Sequence, residues 1–277
     1  MRMESTHRPI IKLQKIVSKM SELELVKAAR FAECLPMIFK IALLTAALMT
    51  SGYAQQPDAN AILAGARLAA TLTQLDKSEP LRGNLTRGSV KVPIALFLDG
   101  KNIQFQFNEN NAPAWRVFHM RLADEKYDLF ELTNGKTLDF PVKKLGEAIA
   151  GTDLTYEDLS LRFFYWPKPS LEGQEDVGGQ PCYKIRVNKP KGSGGRYEVV
   201  YVWIHSKFGA FMKIRGFDKA GKLIKEFQVE DIMKVADKVW TLRKMQVSTY
   251  DPSNERRISI TDLVFDPPKK ISPRGMR

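Results

Sequence analysis

The chain has 277 residues and a formal net charge of +12, from 43 Lys and Arg residues against 31 Asp and Glu residues. Hydrophobic residues make up 44% and charged residues 27%, a balance that is typical of globular proteins and excludes a wholly disordered or collagen-like chain. Only one stretch approaches the hydrophobicity of a membrane span, which excludes a multi-spanning membrane protein. The basic charge indicates an anionic partner without choosing between nucleic acid, membrane and acidic protein.

The apolar stretch at residues 35–49 resembles the hydrophobic region of a secretory signal peptide. It is shorter than the roughly 20 residues of a spanning helix, and it contains Lys40. Small residues follow it at Gly52 and Ala54, as a signal-peptidase site requires. We therefore expect cleavage after Ala54 and export of the remaining chain. An uncut N-terminal anchor helix is the alternative.

These features divide the chain into residues 1–54, an N-terminal extension with the signal peptide, and residues 55–277, a single domain. The segment before the apolar stretch is too long for an ordinary leader, so that Met37 competes with Met1 as the start of translation. Pro, Lys and Arg residues from about residue 267 onward predict a loose C-terminal tail.

The exported domain begins with a predicted amphipathic helix over residues 58–76, and Asp58 is its expected N-cap. Helical spacing places small and apolar residues on one arc: Ala61, Ile62, Gly65, Leu68, Ala69, Leu72 and Leu75. An apolar arc of this kind needs another element to pack against.

From residue 94 onward the apolar period changes from 3.6 to 2, which indicates β-strands. Asp99-Gly100 and Asn134-Gly135 are strong signals for hairpin turns. Eleven strands are predicted, over residues 94–98, 103–107, 115–122, 127–132, 137–140, 182–188, 196–205, 210–217, 222–231, 239–250 and 256–265. Short links between them predict an antiparallel meander, and a sheet of that size must curl or close to protect its edges.

A helical interlude interrupts the strands. Residues 142–149 have helical apolar spacing, and Thr155 with Asp158 resembles a capping box for a second helical piece, which ends at Trp166-Pro167. The sequence therefore predicts a mainly β fold with some α: one curved antiparallel sheet whose concave face is covered by the N-terminal helix and by this inserted piece.

No catalytic motif is evident. His119 and His205 lack a nucleophile at a recognisable spacing, and Cys182 lies in a predicted strand as a buried structural thiol. Residues 192–195 have strands on both sides and predict a flexible hairpin turn rather than a phosphate loop. Glu157 and Asp158 begin a helix, where carboxylates are favourable. We expect no enzyme activity, no metal and no cofactor.

Two further charge patterns have ordinary interpretations. Glu172, Glu175 and Asp176 are predicted to lie in a Gly-rich turn. The basic residues are dispersed as doublets rather than gathered in a stripe, which argues against nucleic acid and favours attraction to anionic lipid.

The aromatic residues carry more information. Residues 197–204 are apolar on both faces of the predicted strand, so one face packs on helices and the other meets a second apolar surface. An ordinary core explains most such residues, and a ligand cavity between the sheet and its helical cover is the functional alternative.

The layout and several motifs resemble the outer-membrane lipoprotein-sorting (LolA-like) proteins, in particular a divergent branch of them. The matching segments are GTDLTYEDL at residues 151–159, CYKI at 182–185, the Tyr-to-Trp-Ile strand at 197–204, DKAGKLIK at 218–225 and VWTL at 239–242. The resemblance covers most of residues 58–265.

The resemblance implies an incomplete, strongly curved antiparallel barrel of about eleven strands with a helical lid, formed by residues 58–76 and 155–166. It implies a periplasmic protein whose hydrophobic cavity takes lipoprotein acyl chains from an inner-membrane releasing complex to an outer-membrane acceptor. We expect a monomer. A sensor domain of the cell envelope is the second hypothesis, and an envelope hydrolase that uses a histidine is the weakest.

The resemblance also assigns candidate residues. In such carriers an arginine on an early strand helps to hold the lid, and Arg82, Arg87 and Arg116 are candidates for it here. The predicted cavity residues are Leu96, Phe105, Phe107, Trp115, Tyr201, Trp203, Met212, Ile214 and Phe227. Which of them point inward depends on strand register, because a slip of one residue reverses a strand.

Overall fold

The structure is a computed structural model that describes residues 57–71, 80–109, 114–122, 127–133, 135–236 and 239–267. They belong to a unit that begins at Pro57. The predicted signal peptide, residues 72–76 of the predicted helix and nearly all of the predicted tail lie outside the described residues. Within the described ranges no helix has the length and apolar character needed to cross a membrane.

The described residues include thirteen antiparallel strands in one curved sheet whose edges do not close. The strands are β1 (Leu81–Arg87), β2 (Val90–Asp99), β3 (Asn102–Phe107), β4 (Arg116–Leu122), β5 (Tyr127–Thr133), β6 (Lys136–Asp139), β7 (Ser170–Val177), β8 (Gln180–Asn188), β9 (Val199–His205), β10 (Phe211–Phe217), β11 (Leu223–Ala236), β12 (Val239–Tyr250) and β13 (Arg257–Phe265).

Strand order in the sheet is β6-β5-β4-β3-β2-β1-β13-β12-β11-β10-β9-β8-β7. Strands that follow each other along the chain are therefore neighbours in the sheet, except β6 and β7, which lie at opposite edges. The pairing of β1 with β13 joins the two halves of the sheet in its middle. The edge strands are β6 and β7, and the chain between them, residues 141–169, is called the inserted segment below.

The predicted mainly β, curved antiparallel fold is confirmed, with thirteen strands rather than eleven. Both hairpins are confirmed, since Asp99 pairs with Asn102 and Thr133 pairs with Lys136 across two-residue turns. Strands β1 and β7 are not among the predicted strands. The charged residues of β7 lie in a strand and not in the predicted turn, and exposed charge of this kind is typical of an edge strand that resists further pairing.

The inserted segment is less helical than predicted. It contains the 3₁₀ turn Val142–Lys144, the short helix α2 (Tyr156–Ser160) and the 3₁₀ turn Arg162–Tyr165; α1 is the N-terminal helix Ala59–Thr71. The predicted helix over 142–149 is wrong beyond its first turn. The capping box is confirmed, because Thr155 N donates to Asp158 Oδ2 at 2.8 Å and Asp158 N donates to Thr155 Oγ1 at 3.3 Å.

Helix α1 begins as predicted, with the Asn60 amide donating to Asp58 Oδ1 at 3.1 Å. Its buried side is not the predicted arc. The buried residues are Ala59, Leu63 and Ala66, while Leu68 from the predicted arc is 68% exposed. The sequence ANAILAGARLAAT is small or apolar nearly all the way round, so its pattern does not determine which side faces the sheet.

Gly83 permits the close pairing of β1 with β13, because a Cβ atom there would overlap the carbonyl oxygen of Val264. We expect Gly83→Ala to lower the free energy of unfolding by about 1–3 kcal/mol through backbone displacement. Gly65→Ala is the matched control: it lies in α1 with open space around it, and alanine should stabilise the helix by up to about 1 kcal/mol. Urea unfolding measures both; equal stabilities would contradict the packing argument.

Candidate functional site: the apolar interior

The inner face of the sheet, the inserted segment and α1 share a hydrophobic cluster. Aromatic rings connect the inserted segment to the sheet. The Tyr156 ring centre lies 4.8 Å from that of Phe140 and 5.4 Å from that of Phe118. Phe163 in the second 3₁₀ turn is fully buried. The inserted segment therefore projects large side chains into the concave side of the sheet.

The protein's own side chains fill this interior. A void of about 10 Å³ remains between the inserted segment and strands β1, β2, β3 and β13, and it is at the limit of what one water molecule needs. Its lining is apolar except for Gln106 and consists of Leu85, Ile94, Phe105, Gln106, Phe107, Ile149, Leu154, Leu159 and Leu263. At this point the described side chains leave room for at most one water molecule.

Asp153 anchors the inserted segment to β12 and β13. Its carboxylate accepts hydrogen bonds from the hydroxyls of Thr249, at 2.5 Å, Thr261, at 2.8 Å, and Ser259. The Asp153 amide in turn donates to Thr261 Oγ1 at 2.8 Å. Both oxygens of a buried carboxylate are satisfied in this way, which is the condition under which its burial is tolerated.

Lys225 on β11 extends the anchor. Its ammonium donates to the carbonyl oxygen of Asp153 and to Thr249 Oγ1, and it lies 4.0 Å from Asp158 Oδ2. Tyr197 donates its hydroxyl to the other oxygen of Asp158. This buried polar cluster, with Asp153, Asp158 and Lys225 at its centre, joins the inserted segment to three central strands.

Burial and hydrogen bonding shift the pKa values of these groups in opposite directions. Burial alone would raise the pKa of Asp153, but the donors Ser259, Thr249 and Thr261, with the charge of Lys225, lower it below its ordinary value. Burial lowers the pKa of Lys225, and the carboxylates of Asp158 and Asp153 oppose that change. The cluster therefore favours an ionised Asp153.

Glu157, in the same segment, has fewer hydrogen-bond partners for its carboxylate than Asp153 has. Burial raises the pKa of its carboxyl, although Oε2 accepts a hydrogen bond from the Arg196 amide at 2.7 Å. Its Oε1 is buried and has no hydrogen-bond partner in the part of the chain that the structure describes. Glu157 thus belongs to the packing of the segment against the 192–195 turn, where Gly195 leaves room for its carboxylate.

Two of the three candidate arginines contact the inserted segment. Arg87, at the end of β1, donates to the carbonyl oxygen of Gly151 at 2.9 Å and lies 3.5 Å from Asp153 Oδ2. Arg116 hydrogen-bonds Tyr156 and lies 3.2 Å from Glu109. Arg82 is exposed on β1. Of the three candidates, Arg87 reaches the buried polar cluster, and a lid-holding role for any of them stays a prediction.

Helix α1 is held differently from the inserted segment. Leu63, with Ala59 and Ala66, supplies a narrow apolar contact. The guanidinium of Arg67 lies 5.1 Å from the ring centre of Tyr165, so α1 also contacts the inserted segment. These contacts are apolar or lie near the surface. Helix α1 is therefore the part of the cover that costs less to displace.

The structure separates the nine predicted cavity residues. Five belong to the interior cluster: Leu96, Phe105, Phe107, Ile214 and Phe227. Three lie together on the opposite, outer face of the sheet with Val177 and Cys182: Tyr201, Trp203 and Met212. Trp115 is 38% exposed and precedes β4. The prediction that all nine share one cavity is corrected, and ligand binding by the inner five stays a prediction.

The alternation of side chains along a strand and one β-bulge explain why the predicted cavity residues lie on two faces of the sheet. In β9, Val200 and Val202 face the interior and are fully buried, so Tyr201 and Trp203 point outward. Both sides of this strand are apolar, and the sequence pattern does not distinguish them. In β10 the register shifts between Phe211 and Lys213, which places Met212 on the outer face although Ile214, two residues later, points inward.

The histidines and the cysteine have structural partners. His119 Nε2 lies 3.3 Å from Asn102 Oδ1, and burial lowers its pKa. His205 Nδ1 accepts from the Lys207 amide at 3.1 Å, and Nε2 lies 3.2 Å from Gln180 Oε1. Cys182 is fully buried, as predicted. In the described ranges no three His, Cys, Asp or Glu residues are grouped to hold a metal ion.

The family of the chain follows from comparison with known proteins. A family model described as "Uncharacterized protein" matches residues 133–272, half of the chain, and the chain belongs to that family. No curated protein matches the chain significantly.

Solved structures show the fold. A putative outer membrane lipoprotein-sorting protein domain from Vibrio parahaemolyticus has a TM-score of 0.57 at 13% identity, covering 78% of this chain and 96% of its own. A LolA superfamily protein from Nitrosomonas europaea has a TM-score of 0.53 at 13% identity, covering 76% and 92%. A DUF1329 family protein from Desulfovibrio piger has a TM-score of 0.52 at 20% identity, covering 76% and 95%. The predicted LolA-like fold is confirmed.

The ionised state of Asp153 gives a pH-dependent prediction. We expect Asp153→Asn to lower the free energy of unfolding at pH 7 by about 3 kcal/mol or more, because it leaves Lys225 without part of its compensating charge. A depressed pKa contributes stability that is complete above about pH 4 and is lost as the pH falls. The difference between wild type and variant should therefore shrink below about pH 4.

Urea unfolding at neutral and acidic pH measures this difference. Asp139→Asn, an exposed substitution on β6, is the control and should change stability little at either pH. A variant as stable as wild type at pH 7, or a difference that grows in acid, would contradict the anchoring role of Asp153.

Proposed function

We propose that this protein is a periplasmic carrier that shelters the acyl chains of lipoproteins or other lipids in its interior. The observation that supports the proposal is the apolar cluster that the inner face of the sheet shares with α1 and the inserted segment. The void of about 10 Å³ inside it is far too small for an acyl chain, so the proposal requires part of this cover to move. An acyl chain would take the place of α1 and of flexible interior side chains, while the buried polar cluster keeps the inserted segment in position.

The magnitudes favour such an exchange. Displacing α1 exposes Leu63, two alanines and the partly buried Ile62, at a cost of about 5 kcal/mol when each side chain is counted by its apolar area. An acyl chain that buries about ten methylene groups gains roughly 8 kcal/mol. The ligand can therefore open the cover, and the closed form protects the apolar interior from water when no ligand is present.

The solved protein from Vibrio parahaemolyticus, whose description is a putative outer membrane lipoprotein-sorting protein domain, supports the choice of cargo. By analogy, the chain would be exported by a cleaved signal peptide, receive cargo from an inner-membrane releasing complex and deliver it to an outer-membrane acceptor. The carrier works as a monomer and needs no catalysis, metal or cofactor, because transfer depends only on the relative affinities of carrier and acceptor.

Phe105 tests the interior as the binding site, because it lines the void and is only partly buried. We expect Phe105→Gln to weaken binding of a diacylated lipopeptide at least tenfold, about 1.4 kcal/mol, since an amide would contact the acyl chain without a hydrogen-bond partner. Trp115→Gln removes an aromatic residue outside the interior and should leave affinity unchanged. Displacement of a fluorescent fatty acid measures both.

Lipid extraction and mass spectrometry of the purified protein complete this test. A carrier retains acyl lipids and releases them to acceptor vesicles. A sensor domain would instead co-purify with a membrane signalling protein and hold its ligand without transfer. If no lipid is retained and no lipopeptide binds, the carrier proposal is wrong.

Leu63 tests the movable cover. We expect Leu63→Ala to accelerate uptake of the fluorescent fatty acid by about thirtyfold, because loss of a buried leucine destabilises the closed form by about 2 kcal/mol or more. Leu68→Ala is the matched control on the exposed side of α1 and should not change the rate. Equal rates in wild type and Leu63→Ala, measured by stopped-flow fluorescence, would rule out α1 as the cover.

A further inference from the structure

The outer face of strands β8, β9 and β10 carries a regular pattern that the interior does not use. In the middle of these strands, two outward residues on β8 and two on β10 are cationic, and the two on β9 between them are aromatic. Register aligns them in two rows across the strands: Arg186, Tyr201 and Arg215 in one row, and Lys184, Trp203 and Lys213 in the other. Each row is thus a cation, an aromatic ring and a second cation, at the spacing of neighbouring strands.

All of these residues except Lys213 border an open groove of about 630 Å³, called the outer groove. Phe217 extends its aromatic floor, with its ring centre 5.6 Å from that of Tyr201. The groove lies on the opposite side of the sheet from the interior cluster, so that a ligand here would not compete with one inside.

The cations converge on one ring. Lys184 Nζ lies 5.2 Å from the ring centre of Trp203, Lys213 Nζ lies 5.4 Å from it, and the Arg215 guanidinium carbon lies 5.9 Å from it. The indole N–H donates to Glu175 Oε2 at 2.8 Å, which fixes the ring orientation. Cation–π contacts therefore hold several positive groups close together before any ligand binds.

Charge in the groove is only partly balanced. Glu175 pairs with Lys184 at 2.7 Å, and Glu226 serves both Lys213, at 3.4 Å, and Arg215. Arg186 Nε is buried and has no hydrogen-bond partner within the described ranges. Of the described residues named here, four cations thus face two carboxylates, and Arg186 pairs with neither carboxylate.

We propose that the outer groove binds a phosphate-bearing ligand, with Arg186 as the residue that contacts the phosphate most directly. Guanidinium and ammonium groups recognise phosphate oxygens through charge-assisted hydrogen bonds, and Arg does so with two parallel donors. The groove is much larger than a phosphate group, so it has room for the organic part of the ligand. The phosphate belongs either to a lipid headgroup or to a soluble molecule, and this site does not depend on the interior's role.

Calorimetry of the full-length protein at low ionic strength tests the proposal with two probes: inorganic pyrophosphate, and vesicles of phosphatidylglycerol mixed with phosphatidylcholine. Saturable binding of pyrophosphate identifies a site for soluble phosphates, and binding to the vesicles alone identifies a headgroup site. Either result supports the outer groove only if Arg186→Gln weakens it by about tenfold, as loss of a charged hydrogen bond requires.

Arg121→Gln is the matched control. It removes the same charge from β4, where Arg121 pairs with Asp128 at 2.9 Å, far from the groove in strand order. Binding should be unchanged in this variant. Equal weakening by Arg186→Gln and Arg121→Gln would show general attraction to a basic protein and overturn the proposal.

A second substitution has the opposite expected sign. Glu226→Gln removes the carboxylate that competes with the ligand for Lys213 and Arg215, so we expect binding to become several-fold tighter. A gain of affinity cannot result from misfolding. No binding of either probe to the wild-type protein, or weaker binding by Glu226→Gln, would overturn the proposal.

Discussion

The carboxylate of Asp153 is the contact on which the rest of the interior depends. It lies under the centre of the sheet, where hydroxyls from β12 and β13 donate hydrogen bonds to it. The ammonium of Lys225 from β11 donates to the carbonyl oxygen of the same residue. A buried charge is tolerated only when its hydrogen bonds and its compensating charge are in place. Those partners come from three strands, and all of their hydrogen bonds can form only in one arrangement. The inserted segment therefore has one favourable position against the sheet.

That position explains how a curved sheet with open edges is stabilised. The inserted segment runs from edge strand β6 to edge strand β7 and fills the concavity between them with aromatic side chains such as Phe163. Helix α1 covers what remains through a narrower and mostly apolar contact. Apolar contacts lack the directional requirement of the buried polar cluster, so the cover is more easily displaced than the segment beneath it.

The two faces of β9 give the protein two chemically different surfaces. The inward valines belong to the apolar interior, and the outward Tyr201 and Trp203 are flanked by lysines and arginines. A fold alone does not assign a function, since related folds carry unrelated sites. The two proposed sites would differ in kind: the interior would take an apolar chain, and the outer groove would take a charged group.

Local signals predicted much of the architecture. The two-residue hairpin turns, the capping box at Thr155 and the end of the helical interlude at Trp166 were each predicted correctly, because a turn or cap depends on residues close together in sequence. Strand β7 was missed, because its charges are those of an edge strand, and only the sheet order shows that it is an edge.

The sequence by itself determined the antiparallel meander, the position of its helical interruption and the buried state of Cys182, since hydrophobic period and turn chemistry are local properties. Only the tertiary structure decided which side of α1 is buried, that Met212 and Trp203 face outward, and that Asp153 anchors the inserted segment. Those outcomes depend on a bulge, on a strand that is apolar on both faces and on hydroxyls about a hundred residues away from Asp153 along the chain. The physical reason is that burial and charge compensation are properties of the packed chain, and no local pattern contains them.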